Sequence, residues 1–132
     1  MDSSYARKFQ KDLNGGLIGL VLLAELAAVD EDQYGYELVK RLQRANDGEL
    51  LFKEGTVYPV LRSLSAAGLL ASRVVPSYRG PPRRYYRLTP QGHDVLVIWR
   101  GIWRDTRDFV DRCVTHDRRP ARVQEPTIAG VN

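Results

Sequence analysis

The spacing of apolar residues predicts a mainly helical chain. Apolar positions recur every three or four residues in five stretches, which is typical of helices with a buried face. The predicted helices cover residues 5–13, 17–29, 36–45, 54–67 and 89–116. Asn14-Gly15-Gly16 separates the first two, because glycine disfavours the helix interior. The second is apolar on nearly all faces, so we expect it to lie in the core.

Two short stretches before the last predicted helix have the features of β-strands. Residues 69–75 (LLASRVV) are β-branched and apolar, and residues 83–88 (RRYYRL) alternate in the strand manner. The sequence YRGPP at residues 78–82 joins them, which predicts a hairpin with a basic tip. Thr89 then serves as N-cap and Pro90 as the first residue of the last helix.

These elements predict a mainly α fold with a small β-hairpin, in the order of a winged helix-turn-helix module with additional N-terminal and C-terminal helices. We expect an N-terminal arm or helix over residues 1–14 and the winged helix-turn-helix domain over residues 15–92. A C-terminal dimerisation helix over residues 93–117 and a disordered tail over residues 118–132 follow.

Positive charge is concentrated between residues 53 and 92. This segment contains seven Lys or Arg residues and one acid, Glu54, a surplus of six in a chain whose formal net charge is +4. Such a local surplus indicates a polyanionic partner such as DNA. The sequence has no apolar run long enough to span a membrane, no secretory signal and a single cysteine, so we expect a cytoplasmic protein.

Candidate catalytic and metal-binding groups are sparse. Cys113 and His116 stand three residues apart, but a structural zinc site takes four ligands and the chain has no second cysteine. A Cys–His nucleophilic pair would lack an oxyanion-binding glycine loop, and no phosphate loop or dinucleotide fingerprint follows a predicted strand. We therefore expect no enzymatic activity, no metal and no cofactor.

Four sequence blocks resemble those of the PadR-like transcriptional regulators. They are YGYEL at residues 34–38, EGTVYPVL at residues 54–61, LSAAGLL at residues 64–70 and GPPRRYYRLTPQG at residues 80–92. The single long helix after these blocks resembles that of the small members of the family, and implies a dimer that binds DNA through its winged helices. The acidic connection at residues 29–33 is longer than the family's usual turn.

The helix predicted over residues 54–67 is the candidate for the DNA major groove. Val57 and Leu61 hold one side to the core, while the N-terminal turn presents candidate DNA contacts at Lys53, Thr56, Tyr58 and Pro59. Arg62, one turn further on, is expected to reach a backbone phosphate. The alternative roles are a helix cap for Thr56 and a core aromatic for Tyr58.

Two further groups complete the candidate DNA contacts. Tyr34 and Tyr36 lie at the start of a helix, where backbone N–H groups and a hydroxyl can together bind a phosphate, and the resemblance favours Tyr36 in this role. Packing beneath the hairpin is the alternative for these tyrosines. Arg79, Arg83 and Arg84 flank the hairpin turn, where we expect them to lie along the minor groove. A merely solvated charged face is the alternative for the arginines.

The last predicted helix carries an apolar seam at heptad spacing. Its members are Val95, Trp99, Ile102, Thr106, Phe109 and Cys113. We expect this seam to pair with a second copy, and Phe9 and Leu13 to cover the partner's last helix. A homodimer places two recognition helices about 34 Å apart, which matches a palindromic operator in double-stranded DNA.

Trp99 and Trp103 stand one helical turn apart and have two interpretations. In small members of the family a cavity at the dimer interface accepts flat aromatic compounds, so the resemblance implies that these indoles stack against a small planar aromatic effector. Ordinary interface packing explains both residues without a ligand.

Two classes of function remain open on the sequence. The first is a dimeric, sequence-specific DNA-binding regulator, a repressor released by a small aromatic effector. The second is a winged-helix protein-interaction adaptor that does not read DNA sequence. Base contacts distinguish the two, because only the first loses operator affinity selectively when Thr56 or Tyr58 is truncated.

Overall fold

The computed structural model describes residues 3–46 and 52–116. In chain order the elements are the helix α1 (Ser3–Ala27), the strand β1 (Gln33–Tyr34), the helices α2 (Gly35–Ala45) and α3 (Glu54–Ala66), the strands β2 (Leu70–Val75) and β3 (Arg83–Leu88), and the helix α4 (Pro90–Thr115). The predicted mainly α fold class with a small β-hairpin is confirmed. The predicted disordered tail lies outside the described residues.

The first helix, α1, is continuous, so the predicted interruption at Asn14-Gly15-Gly16 is wrong. Each interior glycine weakens a helix by about 1 kcal/mol relative to alanine. Helix propagation is cooperative, however, and the second half of α1 is anchored in the core through four buried residues. The first half adds side-chain contacts one turn apart, such as the Gln10 amide donating to Asn14 Oδ1 at 2.7 Å.

The sheet is antiparallel and has three strands in the order β1-β3-β2. Six residue pairs join β2 to β3, from Leu70↔Leu88 to Val75↔Arg83, so the predicted hairpin is confirmed. The third strand, β1, was not predicted. It contributes only two pairs, Gln33↔Tyr86 and Tyr34↔Tyr85, and two residues are too few to produce a periodic signal.

One hydrophobic cluster joins α1, α2, α3, the sheet and the first turns of α4. Its centre is made of side chains with almost no exposed surface: Leu22, Leu23, Leu26, Leu38, Val57, Leu61 and Leu96. The sequence predicted that Val57 and Leu61 face the core, and this prediction is confirmed because both belong to a helical repeat that continues over more than two turns.

Thr89 caps α4, as predicted. The backbone N–H of Gly92 donates to Thr89 Oγ1 at 2.9 Å, and the same hydroxyl donates to the Gly68 carbonyl oxygen at 2.7 Å. A Cβ atom on Gly92 would lie 2.2 Å from the Leu69 carbonyl oxygen. Glycine is therefore required here for the first turn of α4 to lie against the chain that enters β2.

The chain divides into two compact units, and the boundary falls within α4, after Trp99. The first unit contains the sheet and the helices α1 to α3, and the second begins at Arg100. Among the described residues, no helix combines the length and the apolar character that a membrane span requires.

Candidate nucleic-acid interface

An open cavity of about 280 Å³ lies where the start of α2, the helix α3 and the strand β3 meet. Five of the ten candidate DNA contacts line it. Its full lining is Tyr34, Gly35, Tyr36, Tyr58, Arg62, Arg84 and Tyr86. The cavity thus combines two guanidinium groups with four phenol rings, a set of hydrogen-bond donors suited to phosphate oxygens.

Gly35, the first residue of α2, allows the cavity to form. A Cβ atom at this position would lie 3.3 Å from the Tyr86 ring and 3.5 Å from the Tyr58 ring. Without a side chain, both rings approach the backbone where α2 begins. Tyr34, the N-cap residue, makes no side-chain cap hydrogen bond. The first backbone N–H groups of α2 are therefore not capped by that side chain, and helix N-termini favour anions.

Tyr58 and Tyr86 keep their protons at neutral pH. Burial is the main cause that raises the pKa of the Tyr58 hydroxyl, and the nearby Glu54 charge adds to it. Burial also raises the pKa of Tyr86, against the opposing influence of Arg84 and Arg62. Tyr58 is half-buried against the core and also lines the cavity, so the two interpretations of this residue do not exclude each other.

Arg83 and Arg84, neighbours in β3, point to opposite faces of the sheet because side chains alternate along a strand. Arg84 lines the cavity and donates to the Ser72 hydroxyl at 3.3 Å. The Arg83 guanidinium lies 4.9 Å from the centre of the Tyr34 ring. We call the side that carries Tyr34, Arg73, Arg83, Tyr85 and Arg87 the outer face of the sheet.

The remaining candidate contacts are solvent-exposed. Lys53 is the N-cap residue of α3, and Thr56 and Pro59 lie in the first turns of that helix. The alternative role of Thr56 as the N-cap is therefore wrong. Pro59 lies inside the helix. Arg79 belongs to the connection between β2 and β3 and is also exposed.

The positive charge that the sequence concentrates between residues 53 and 92 is partly compensated by an acid from outside this segment, at Arg87. Its Nε atom donates to Asp32 Oδ1 at 2.9 Å, and Arg73 donates to the other oxygen of the same carboxylate. These two arginines hold the pKa of Asp32 below its usual range. Within residues 3–46 and 52–116, by contrast, Arg62, Arg79, Arg83 and Arg84 form no ion pair.

The model of the transcriptional regulator PadR-like family matches residues 22–97. The chain belongs to this family. It is similar to a solved PadR family transcriptional regulator from Eggerthella lenta, with 31% identity, a TM-score of 0.72, and coverage of 87% of this chain and 96% of that one. A transcriptional regulator from Clostridium thermocellum gives 27% identity, a TM-score of 0.68, and coverage of 76% and 96%.

A curated protein from Lysinibacillus sphaericus, uncharacterized protein X, is 25% identical over 83 residues, which is 63% of this chain and 76% of that protein. The resemblance expected from the sequence blocks is thus confirmed, together with the winged-helix fold. PadR-like proteins are DNA-binding transcriptional regulators and not enzymes.

The candidate dimer residues of this PadR-like chain fall into two groups. Val95 and Trp99 are half-buried and pack against the core of their own unit, and a Cβ atom on Gly19 would lie 3.4 Å from the Trp99 indole. The other members are exposed: Phe9, Leu13, Ile102, Thr106, Phe109 and Cys113. The effector candidate Trp103 is half-buried. Phe109 and Cys113 also line a second cavity, with Arg112 and His116.

The sequence missed three residues of this region. Gly35 and Tyr86 line the cavity, and the alternation in residues 83–88 was enough to place Tyr86 on the face opposite to Tyr85. Asp32 had no such signal, because its partners lie 41 and 55 residues away in the chain.

Proposed function

We propose that this PadR-like regulator is a dimeric repressor that binds a palindromic operator and is released from it by a small planar aromatic effector. One observation carries the DNA-binding part of the proposal. The cavity brings together Tyr36 from α2, Arg62 and Tyr58 from α3, and Arg84 from β3. These elements are the two helices and the wing of the module, so a phosphate held there would contact all three at once.

The charges support a phosphate at this position. Arg62 and Arg84 have no acidic partner among the described residues. The hydroxyls of Tyr58 and Tyr86 in the cavity lining are protonated, because the pKa of each is raised, and can therefore donate hydrogen bonds. Charge-assisted hydrogen bonds from guanidinium groups to phosphate are about twice as strong as neutral ones. Thr56 and Pro59, exposed on α3, are then the candidates for base edges in the major groove. Lys53, Arg79 and Arg83 add contacts outside the cavity.

Exposed apolar side chains support the dimer. On α4, Ile102 and Phe109 are 58% and 59% exposed, and on α1 Phe9 is 68% exposed. A second copy that covers these residues would remove them from water, and this burial contributes a stabilising free energy of roughly 25 cal/mol per Å² of apolar surface. In this proposal residues 93–117 serve as the dimerisation helix and residues 1–14 as the arm that covers the partner. DNA regulation by such a dimer would take place in the cytoplasm.

The effector part of the proposal depends on Trp99 and Trp103. Both indoles are half-buried, and a planar aromatic compound that stacks on either would quench its fluorescence. Titration of tryptophan emission with planar aromatics tests this directly. Quenching that saturates and that lowers operator affinity supports an effector, whereas the absence of quenching removes it from the proposal.

Quantitative DNA binding tests the main proposal. The operator would first be located by footprinting the DNA upstream of the gene, and affinities then measured for operator and scrambled duplexes over a range of salt concentrations. We expect a palindromic footprint, two protomers per duplex, and tighter binding to the operator. Equal affinity for both duplexes would favour the protein-interaction adaptor, and a monomer at micromolar concentration would refute the dimer.

A further inference from the structure

The strand β1 is held to the sheet by very few backbone pairs. It is two residues long and pairs with β3 only at Gln33↔Tyr86 and Tyr34↔Tyr85. Strands in proteins usually have three to ten residues, and so short a ladder gives little resistance to displacement. Yet Tyr34, Gly35 and Tyr36, the residues that end β1 and begin α2, line the cavity. Whatever fixes β1 therefore also fixes one wall of the cavity.

Asp32, the residue before β1, is tied to both other strands. One carboxylate oxygen accepts from Arg87 of β3 at 2.9 Å, and the other accepts from Arg73 of β2. Continued by one residue, the β1–β3 register places Asp32 opposite Arg87. The carboxylate thus extends a two-residue ladder by side-chain bonds that span the whole sheet.

The environment of this carboxylate differs from that of its neighbours in the loop. The Asp32 side chain is 27% exposed, whereas that of Asp30 is 96% exposed and reaches Arg87 only at 3.5 Å. The hydrogen bonds from Arg73 and Arg87 lower the pKa of Asp32, so it is ionised at neutral pH. An ion pair with two well-placed partners forms a network, and networks stabilise more than isolated surface pairs do.

A row of contacts leads from Asp32 to the cavity. The Arg73 guanidinium lies 5.4 Å from the centre of the Tyr85 ring, and the Tyr85 ring is 5.6 Å from the Tyr34 ring. These three residues are cross-strand partners in the sheet register. Tyr34 in turn lies 5.9 Å from Tyr36. The arginine that Asp32 holds therefore packs against the same tyrosine row that ends at the cavity.

We propose that Asp32 is a positioning residue for DNA binding, which holds β1 in register through Arg73 and Arg87 and so keeps Tyr34 and Tyr36 at the cavity wall. This inference rests on the proposed function. Electrostatics alone predicts that removing a negative charge near a DNA-binding surface strengthens binding. The positioning role predicts the opposite for Asp32, namely that its neutralisation weakens binding.

The matched variants Asp32→Asn and Glu31→Gln test this role. Both remove one negative charge from adjacent positions, but Glu31 influences Arg87 only through space, without an ion pair in the described structure. We expect Asp32→Asn to lower operator affinity about tenfold, as couplings between contacting residues allow. Glu31→Gln should leave the affinity unchanged or raise it slightly. Both proteins are compared well below their melting temperatures, with circular dichroism to establish that each is folded.

Two further readouts separate positioning from general destabilisation. Amide hydrogen exchange at residues 33–36 should accelerate in Asp32→Asn and not in Glu31→Gln, with or without DNA. The affinity loss should also shrink when Asp32→Asn is made in a Tyr36→Phe background, and persist in an Arg79→Gln background, because Arg79 lies in the hairpin connection, outside the proposed row.

Failure of the positioning role and failure of the proposed function give different results. If Asp32→Asn and Glu31→Gln bind the operator equally well, or if exchange at residues 33–36 is the same in both, the positioning role is refuted while the proposed function stands. If the wild-type protein binds no duplex, the proposed function fails, and the role of Asp32 in DNA binding fails with it. If the losses of operator affinity in Asp32→Asn and Tyr36→Phe simply add in the double variant, Asp32 does not act through Tyr36 and the positioning role is refuted.

Discussion

The outer face of the sheet and the cavity carry arginines that differ in their neighbours. On the outer face, Arg73 and Arg87 share the carboxylate of Asp32. At the cavity, Arg62 and Arg84 lie among tyrosines and form no ion pair within the described residues. Both pairs contribute equally to the basic composition of the segment. In the proposed function, arginines without an acidic partner are the ones available to DNA, and the paired ones stabilise the fold.

Double substitution of each pair tests this division and has the largest expected effect. Arg62→Gln/Arg84→Gln should weaken binding to operator and random DNA alike, by about 2–4 kcal/mol, because hydrogen bonds to charged groups are lost. The salt slope should fall in magnitude by about 1.8, or 0.9 for each phosphate contact. Arg73→Gln/Arg87→Gln should leave the slope nearly unchanged and lower the melting temperature. Equal slope changes in the two variants would refute the division.

Thr56→Ala separates base contacts from phosphate contacts. Thr56 is exposed near the start of α3, so its truncation should leave the fold intact. We expect a loss of about 1–3 kcal/mol on the operator and little change on scrambled DNA. Fluorescence anisotropy with both duplexes measures the two values. A loss of equal size on both duplexes would show that Thr56 contacts the backbone instead.

Gly35→Ala tests the packing of the cavity wall. The added Cβ would meet the Tyr86 ring at 3.3 Å, so we expect destabilisation of about 1–3 kcal/mol, typical of overpacking, together with weaker operator binding. Gly16→Ala in α1 is the matched control, since its Cβ would meet nothing within 4 Å and should stabilise the helix. Chemical denaturation measures both. An unchanged free energy of unfolding in Gly35→Ala would contradict this packing.

The pH dependence of the Asp32 ion pairs is the smallest expected effect. Because the folded state lowers the pKa of Asp32, its contribution is present above the unfolded value of about 3.9 and is lost as the pH falls through the lowered pKa. The wild type should therefore melt at a higher temperature than Asp32→Asn at neutral pH, and the difference should vanish in acid. A difference independent of pH would contradict the ion pairs.

Much of this fold follows from local patterns in the sequence. The burial of Leu38, Val57 and Leu61 was predictable because each belongs to a helical repeat, and Thr89 was predictable as a cap because threonine before proline is a strong helix start. The predicted break in α1 was wrong because the local signal was misleading. Local propensity at Gly15 and Gly16 was outweighed by the anchoring of the following turns in the core.

The cavity could be predicted only in part. Helix position and the family resemblance made Tyr36, Tyr58 and Arg62 individual candidates, but their convergence depends on helix packing that no local pattern encodes. Asp32 was beyond sequence reasoning, because its effect depends on strands far away in the chain. The count of arginines likewise could not show that Arg87 is neutralised by an acid from another loop.

Photocrosslinking tests most directly whether DNA meets the cavity side of the wing. A photoreactive phenylalanine analogue would replace Tyr36, which is exposed at the cavity, or Ala71, which is exposed on the outer face opposite Arg87. With operator bound, we expect a strong crosslink to DNA from position 36 and little or none from position 71. A crosslink from position 71 without one from position 36 would contradict it.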